Sequence, residues 1–464
     1  MCYTVENETD TRGVSKMRRK IYDRLLQWKS ENGRTAVLID GARRVGKSYV
    51  AEEFAKAEYK SYILIDFNLI GNEIKDLFIN NLHDLDSFFM YISESYGVKL
   101  YARESVFIFD EVQMFPRARA AIKYLVADGR YDYIETGSIV SIKKNVKDIM
   151  IPSEERRLYM HPMDFEEYLW AMGNDTLLPL IGELFEKKLP MVESIHRKAM
   201  TYFRQYMIVG GMPQAVFEFS RSADFVEVDK VKRDILNLYR DDIAKHANGY
   251  ERKVLSIFDD LPAQLQKHEK KFKLASLKKG ARFRDYEDAF FWLDDARTIN
   301  ICYNATEPNL GLRMNMDRLT LKCYMADTGL LISHSFDESS IVSDEVYKKI
   351  LFDKLEVNLG MITENIVAQM LVASGHKLYF YSSASQEKEL RMEIDFLIAK
   401  SKISNRHNIS PIEVKSGNRT TLTSLNKFRE KYKSQLHTPI VIHTKNLKTV
   451  DGVTYLPLYM TPFL

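Results

Sequence analysis

Eight residues near the start of the chain, Gly41-Ala42-Arg43-Arg44-Val45-Gly46-Lys47-Ser48, follow the spacing Gly-x-x-x-x-Gly-Lys-Ser. The chemistry this spacing supplies is capture of a phosphate chain. Glycines let the backbone curl until successive N–H groups face phosphate oxygens, and the N-terminus of a following helix adds partial positive charge. In such a loop Lys47 reaches the β- and γ-phosphates and the Ser48 hydroxyl ligates Mg²⁺, while Gly41, Arg43, Arg44, Val45, Gly46 and Tyr49 complete the cradle. Downstream, Asp110 and Glu111 close the apolar run Val106-Phe107-Ile108-Phe109. Asp110 is placed to hold Mg²⁺ through water, and Glu111 to accept a proton from the attacking water or to orient it. An apolar run ending in Asp-Glu marks many ordinary strand ends; behind a phosphate loop it gains its chemical meaning. Thr136 and Ser138, which close the run from Tyr131 to Glu135, are candidates to sense the γ-phosphate, with a turn or helix cap as the plain alternative.

A second constellation lies near the other end. Glu364 sits within the helical pattern of residues 360–374, Asp395 in the apolar run 392–398, and Glu413 and Lys415 in the run 411–417. Residues two apart on a strand share a face, so Glu413 and Lys415 project together, and Asp395 meets them from an adjoining strand. Two carboxylates, Asp395 and Glu413, are suited to fix Mg²⁺ beside a phosphodiester, whose metal-bound water a lysine then helps to activate. Glu-x-Lys alone carries almost nothing, since charge pairs across a strand face are routine. The ordered set of helical Glu, strand Asp and strand Glu-x-Lys carries more.

Elements must position these residues. Ala36-Val37-Leu38-Ile39 reads as a buried strand entering the phosphate loop, and Tyr49 to Ala55 as the first turns of a helix leaving it. Residues 62–67, 105–111 and 131–138 read as further strands of a parallel α/β sheet, with the acids at a carboxyl end where such sheets place ligands. Lys16 to Lys29 carries Ile21, Leu25 and Trp28 at helical spacing. A chain of 464 residues exceeds one ordinary core and implies several domains. A net charge of +3 excludes a whole-molecule basic field, so any nucleic-acid surface must be local. The densest basic stretch is Lys270, Lys271, Lys273, Lys278, Lys279, Arg282 and Arg284, read either as a phosphate-neutralising patch or as a solvated helix face. Three scattered cysteines argue against a disulfide scaffold or zinc site. With no apolar run of about 18 residues and no leader-like N-terminus, the expectation is a cytoplasmic protein without a membrane partner.

Several motifs together carry a family resemblance. Gly41 to Ser48, Phe107-Ile108-Phe109-Asp110-Glu111-Val112-Gln113, Glu135-Thr136-Gly137-Ser138 and His161-Pro162-Met163-Asp164-Phe165-Glu166-Glu167-Tyr168 resemble AAA+-superfamily ATPases of bacteria and archaea that carry a C-terminal domain of unknown function. Met163-Asp164 stands where that family has Leu-Ser. Gly210-Gly211-Met212-Pro213 and Tyr324 to Leu331 are further echoes. The resemblance implies ATP and Mg²⁺ as ligands, and a homo-oligomer in which an arginine reaches a neighbour's γ-phosphate. Arg156 and Arg157 are the candidates, with Arg117 and Arg119 behind them. It further implies a P-loop core over 16–165, a helical lid over 166–249 and a winged-helix linker over 250–330. Residues 331–464 resemble the PD-(D/E)xK nuclease fold, which casts Glu364, Asp395, Glu413 and Lys415 as catalytic. Two readings then stand for the whole. One is an ATPase whose end domain acts on DNA or RNA; the other is a nucleotide-controlled switch or scaffold whose nuclease-like domain only binds.

Overall fold

Alternate residues of the first apolar runs face opposite ways, and in the computed structural model they fill two separate cores. The structure describes residues 17–137, 153–247, 249–267, 271–309, 311–336, 344–351, 359–383, 391–399, 409–417 and 421–464. The chain divides into two compact units, one ending at His161 and one beginning at Pro162.

In the first unit, β1 (Ala36–Asp40), β2 (Ser61–Asp66), β3 (Ser105–Asp110), β4 (Asp132–Gly137) and β5 (Glu155–Tyr159) form a sheet in the order β2-β3-β4-β1-β5. Every pairing is parallel. Leu38, Ile63, Ile65, Phe107, Phe109 and Tyr133 point to one face, covered by α3 (Asn72–Asn80), α4 (Leu85–Tyr96) and α5 (Pro116–Asp128). Val37, Ile39, Val106, Ile108 and Ile134 point to the other, covered by α1 (Ile21–Lys29) and α2 (Lys47–Glu58). A sheet buried on both faces needs near-continuous apolar strands, which these runs supply. The first face is largely aromatic: Phe109 lies 5.5 Å from Phe67 and 5.7 Å from Phe78, both edge-on.

The second unit opens with helices α6 (Phe165–Ala171), α7 (Leu177–Lys187), α8 (Glu193–Val209), α9 (Pro213–Ser222) and α10 (Phe225–His246). Three stretches marked by the family resemblance meet there. Asp164 caps α6: its carboxylate accepts the Glu167 N–H at 3.0 Å while the Glu167 side chain accepts the Asp164 N–H. Aspartate caps a helix as well as serine does, which accounts for Asp164 in place of the family's Ser. The neighbouring Met163 N–H donates to Gly211 O at 2.6 Å. Asp327 Oδ2 accepts the Gly211 N–H at 2.6 Å, and its Oδ1 accepts the Leu330 N–H at 2.9 Å, capping α13 (Thr328–Ser335). A Cβ on Gly329 would come within 2.6 Å of the Gly210 backbone. These motifs are a packing lock, which is why they read as family marks rather than as chemistry.

The boundaries expected at 249/250 and 330/331 fall inside this unit. Across the first, the Ser333 and Tyr347 hydroxyls donate to Asp229 Oδ1 at 2.5 and 2.7 Å; across the second, His334 Nε2 pairs with Phe258 O at 2.9 Å. The expected lid thus shares its core with α11 (Glu251–Gln266) and α13. The expected winged helix shows α11, two short 3₁₀ turns, α12 (Glu287–Asp295) and an antiparallel hairpin of β6 (Ile299–Ala305) and β7 (Met316–Met325). It does not close on itself. The free edge of β6 pairs in parallel with β8 (Tyr379–Ser383), giving a sheet β7-β6-β8-β9 with β9 (Met392–Ile394). A second sheet, β10-β11-β12-β14-β13, joins β10 (Phe396–Ala399), β11 (Ile409–Val414), β12 (Ile440–His443), β13 (Lys448–Val450) and β14 (Val453–Pro457). The single strand expected over 392–398 therefore breaks at Asp395, because its first half pairs with β8 and its second with β11. Helices α14 (Asp344–Leu351), α15 (Leu359–Ala373) and α16 (Thr423–Lys431) complete the unit.

Candidate functional site

The phosphate loop leaves β1 where Asp40 O accepts the Met160 N–H at 2.7 Å. A Cβ at Gly41 would stand 2.3 Å from Met160 O, so only glycine lets the two chains approach there. Gly46, at φ 95°, turns the backbone into α2 with Lys47 as that helix's first residue. Lys47 Nζ donates to Gly41 O and Ala42 O, both at 3.0 Å. Burial pulls its ammonium below the ordinary lysine range, against the opposing pull of Glu111, Asp40 and Asp110. Arg43, Arg44 and Tyr49 are exposed, whereas Val45 is buried in the sheet's core.

The acids expected beside this loop are beside it. Because β4 lies between β1 and β3, Thr136 stands next to both carboxyl ends. Ser48 Oγ donates to Asp110 Oδ1 at 2.6 Å. Thr136 donates to the same oxygen and accepts the Glu111 N–H at 3.3 Å. Thr136 therefore positions the two acids. Glu111 holds φ at 52°, a left-handed conformation uncommon outside glycine, and its carboxylate accepts from the Gln113 amide. Hydroxyl and carboxylate are the hard oxygen donors that Mg²⁺ takes, so Ser48 and Asp110 fit that ion. Ser138 lies outside the described residues.

One residue of this site went unread in the sequence. Arg19, almost fully buried, donates to Val45 O at 2.8 Å and to His161 O at 2.6 Å, holding the loop from below. Nothing but its place before α1 distinguishes it in sequence. The arginines expected to reach a γ-phosphate all have partners within this chain. Arg156 makes two 2.6 Å bonds to Glu31, at the register of Val37 rather than at the carboxyl end of β1. Arg157 lies 3.8 Å from Glu155, to which the buried Arg119 is bidentate at 2.8 to 3.0 Å. Arg117 donates to Phe78 O and Ile79 O.

In the second unit Glu364, Asp395, Glu413 and Lys415 do come together, lining one cavity of about 720 Å³ with Lys271, Arg391 and Glu393. Helix α15 is buried from Met361 to Leu371, so its polar residues need partners. Asn365 serves Met325, Gln369 serves Thr328, and Glu364 accepts from Tyr324 OH and from Lys322 Nζ at 3.3 Å. Asp395 Oδ2 accepts the Val414 N–H at 2.8 Å, and Lys415 Nζ donates to Glu413 Oε2 at 2.9 Å. Burial first, and then Asp395, push the Glu413 carboxyl up to about 8. Its Oε1 is buried with no hydrogen-bond partner among the described residues.

Lys322 is the residue that sequence reasoning passed over. Burial works against its charge, yet Glu364, Glu393 and Asp395 outweigh burial and hold its pKa well above the ordinary lysine range. The available signal was a lysine within the apolar strand Leu321-Lys322-Cys323-Tyr324. Mg²⁺ fits this cluster less well than it fits Ser48 and Asp110, because Lys322 already stands 3.8 Å from Asp395 and Lys415 2.9 Å from Glu413. Among the described residues no group of three or more His, Cys, Asp or Glu is arranged to hold a metal ion. Asp395 and Glu413, the expected ligands, line the same cavity. Among the described residues, no helix is long and apolar enough to cross a membrane.

Residues 33–169 match a family model described as an AAA domain. Residues 200–340 and 359–460 match two domains of unknown function, DUF8612 and DUF4143. An uncharacterised protein of Methanocaldococcus jannaschii is 23% identical over 189 residues, 39% of this chain. The chain spans only 38% of the length of that curated relative. The Walker-type ATPase of Pyrococcus abyssi overlaps with a TM-score of 0.39 at 16% identity, across 71% of this chain and 98% of its own. Drosophila ORC bound to DNA overlaps with a TM-score of 0.28 at 12% identity, across 69% and 95%. The AAA-domain match and the parallel five-stranded sheet make the first unit an AAA-like α/β domain with a phosphate loop.

Proposed function

We propose, with that AAA-like domain as premise, that the chain binds and hydrolyses ATP in its first unit and that its second unit binds nucleic acid. The observation that carries the first half is the meeting of Ser48, Thr136 and Asp110 at the exit of the phosphate loop. Gly41 to Ser48 cradles the phosphates, Lys47 neutralises the β- and γ-groups, and the exposed Arg43, Arg44 and Tyr49 border the nucleotide. Mg²⁺, when bound, is held by Ser48 and Asp110 and offsets phosphate charge. Glu111 takes the proton of the attacking water. Purified protein should release phosphate from ATP, and Lys47→Ala should abolish release. If calorimetry with MgADP shows no heat of binding to the wild type, this reading fails.

For the second unit, Lys273, Lys278, Lys279, Arg282 and Arg284 lie exposed on the α11–α12 connection, and Lys271 lines the acid cavity. The basic stretch therefore runs up to the cavity, as a surface for a phosphate backbone would. Of the two readings, binding without cleavage is favoured by the lysines that already face the acids a nuclease metal would need, Lys322 at Asp395 and Lys415 at Glu413. Incubation of single-stranded, duplex and branched DNA and RNA with Mg²⁺ or Mn²⁺ decides between them. Cleavage lost in Asp395→Ala and Lys415→Ala, with ATP turnover intact, restores the nuclease reading and makes Glu364, Asp395, Glu413 and Lys415 its catalytic set. The γ-phosphate arginine from a neighbouring copy, Arg156 or Arg157, requires release from Glu31 or Glu155. Arg156→Ala or Arg157→Ala should then lower turnover only where the protein self-associates.

A further inference from the structure

Lys322 lies on β7 with no exposed side-chain surface, yet its Nζ faces carboxylates from three different parts of the unit. Glu393 of β9 lies at 2.8 Å, Glu364 of α15 at 3.3 Å, and Asp395 at the junction of β9 and β10 at 3.8 Å. The ring of Phe380 stands 5.0 Å from the same nitrogen, and Tyr324, two residues along β7, donates to the same Glu364 oxygen. The carboxylates converge on the ammonium. Carboxylates drawn together away from water are costly unless a cation, either a metal or a basic side chain, sits among them.

Among the described residues, the carboxylates of this cavity lie beside basic side chains. Glu364, Glu393 and Asp395 face Lys322, Glu413 faces Lys415, and Lys271 and Arg391 line the same cavity. We propose that Lys322 is the resident cation of this site: its ammonium takes the place of a divalent ion among Glu364, Glu393 and Asp395, and so closes the cluster to metal. The cavity is the one assigned above to nucleic acid, but the inference does not depend on that assignment, because metal alone is the probe.

The test titrates nucleotide-free, full-length protein with Mn²⁺, followed by electron paramagnetic resonance of the free ion. Wild type and Asp395→Asn should bind alike, with no site that the substitution removes. Lys322→Met should gain one Mn²⁺ site at least tenfold tighter than any in the wild type, lost again in Lys322→Met/Asp395→Asn. Its melting temperature should fall in EDTA and recover with Mn²⁺, while that of the wild type should not move. A Mn²⁺ site in the wild type that Asp395→Asn abolishes overturns the proposal, and so does a folded Lys322→Met that gains none. Should Lys322→Met fail to fold at all, the comparison of wild type with Asp395→Asn still decides. Nucleic-acid binding that fails while the metal results hold would strike the functional reading and leave Lys322 in its role.

Discussion

Thr136 donates its hydroxyl proton to Asp110 across the gap between β4 and β3, and the same oxygen accepts the Glu111 N–H. One threonine thus orients both acids while sitting fully buried. Thr136→Val keeps the volume and removes the hydroxyl. It should lower ATP turnover by roughly 10- to 100-fold, the loss of one or two oriented hydrogen bonds, with little change in nucleotide affinity. Steady-state kinetics beside MgADP calorimetry reads this split. Equal losses in affinity and turnover would show that Thr136 shapes the pocket rather than the acids.

Glu111 combines a chemical role with a backbone cost. A left-handed non-glycine residue is strained by about 1 kcal/mol, and such strain persists where the surrounding structure fixes it. Glu111→Gln should bind MgATP as tightly as the wild type and hydrolyse it at a small fraction of the rate. Glu111→Gly should be equally inactive and yet unfold at higher denaturant in urea titrations. A Glu111→Gln variant that keeps turnover would remove the residue from the reaction.

Much of the first site was legible because its chemistry is local. The phosphate loop needs glycine at fixed positions with a lysine and a hydroxyl behind them, and β3 announces itself by four apolar residues ending in Asp110. Arg19 was not legible, since its partners are the carbonyls of Val45 and His161, and carbonyls leave no trace in sequence. In the second unit Glu364, Asp395, Glu413 and Lys415, picked out by their order, line one cavity. Lys322 escaped because its role depends on β6 bringing β7 alongside the later strands. The same pairing carries a sheet across the boundary expected at 330/331, and a strand with a free edge in sequence gives no sign of which distant strand will occupy it.

Lys232 gives the second unit a pH dependence whose sign is fixed. It is wholly buried, donates to Ile208 O at 2.8 Å, and has Asp229 and Asp327 as neighbouring charges. Burial pulls its pKa down to about 8 from 10.5, more than those two acids restore. The unfolded chain therefore holds this proton more tightly, and the contribution of Lys232 to stability rises as pH climbs from about 8 to 10.5. It is lost again as pH falls through about 8. Urea unfolding of wild type and Lys232→Met across this range isolates the effect, because other titrating groups are common to both. The wild type should gain on the variant as pH rises; a constant difference would place the lysine pKa near its ordinary value.

The exposed cations between α11 and α12 distinguish a polynucleotide surface from a merely soluble one. Among the described residues Arg284 lies 3.8 Å from an exposed carboxylate, Asp285, a contact worth little in water. Lys278, Lys279 and Arg282 are likewise exposed. Each phosphate they neutralise should contribute a slope of about −0.9 in log affinity against log salt on duplex DNA, or about −0.7 on a single strand. Replacing Lys278, Lys279, Arg282 and Arg284 with alanine should therefore weaken binding uniformly across sequences. It should also flatten the salt dependence by roughly two to four units, with the melting temperature unchanged because none of the four is buried. Fluorescence anisotropy of labelled oligonucleotides at several salt concentrations measures both effects. A quadruple variant that binds with the wild-type slope would assign these charges to solubility and move any nucleic-acid surface elsewhere on the unit.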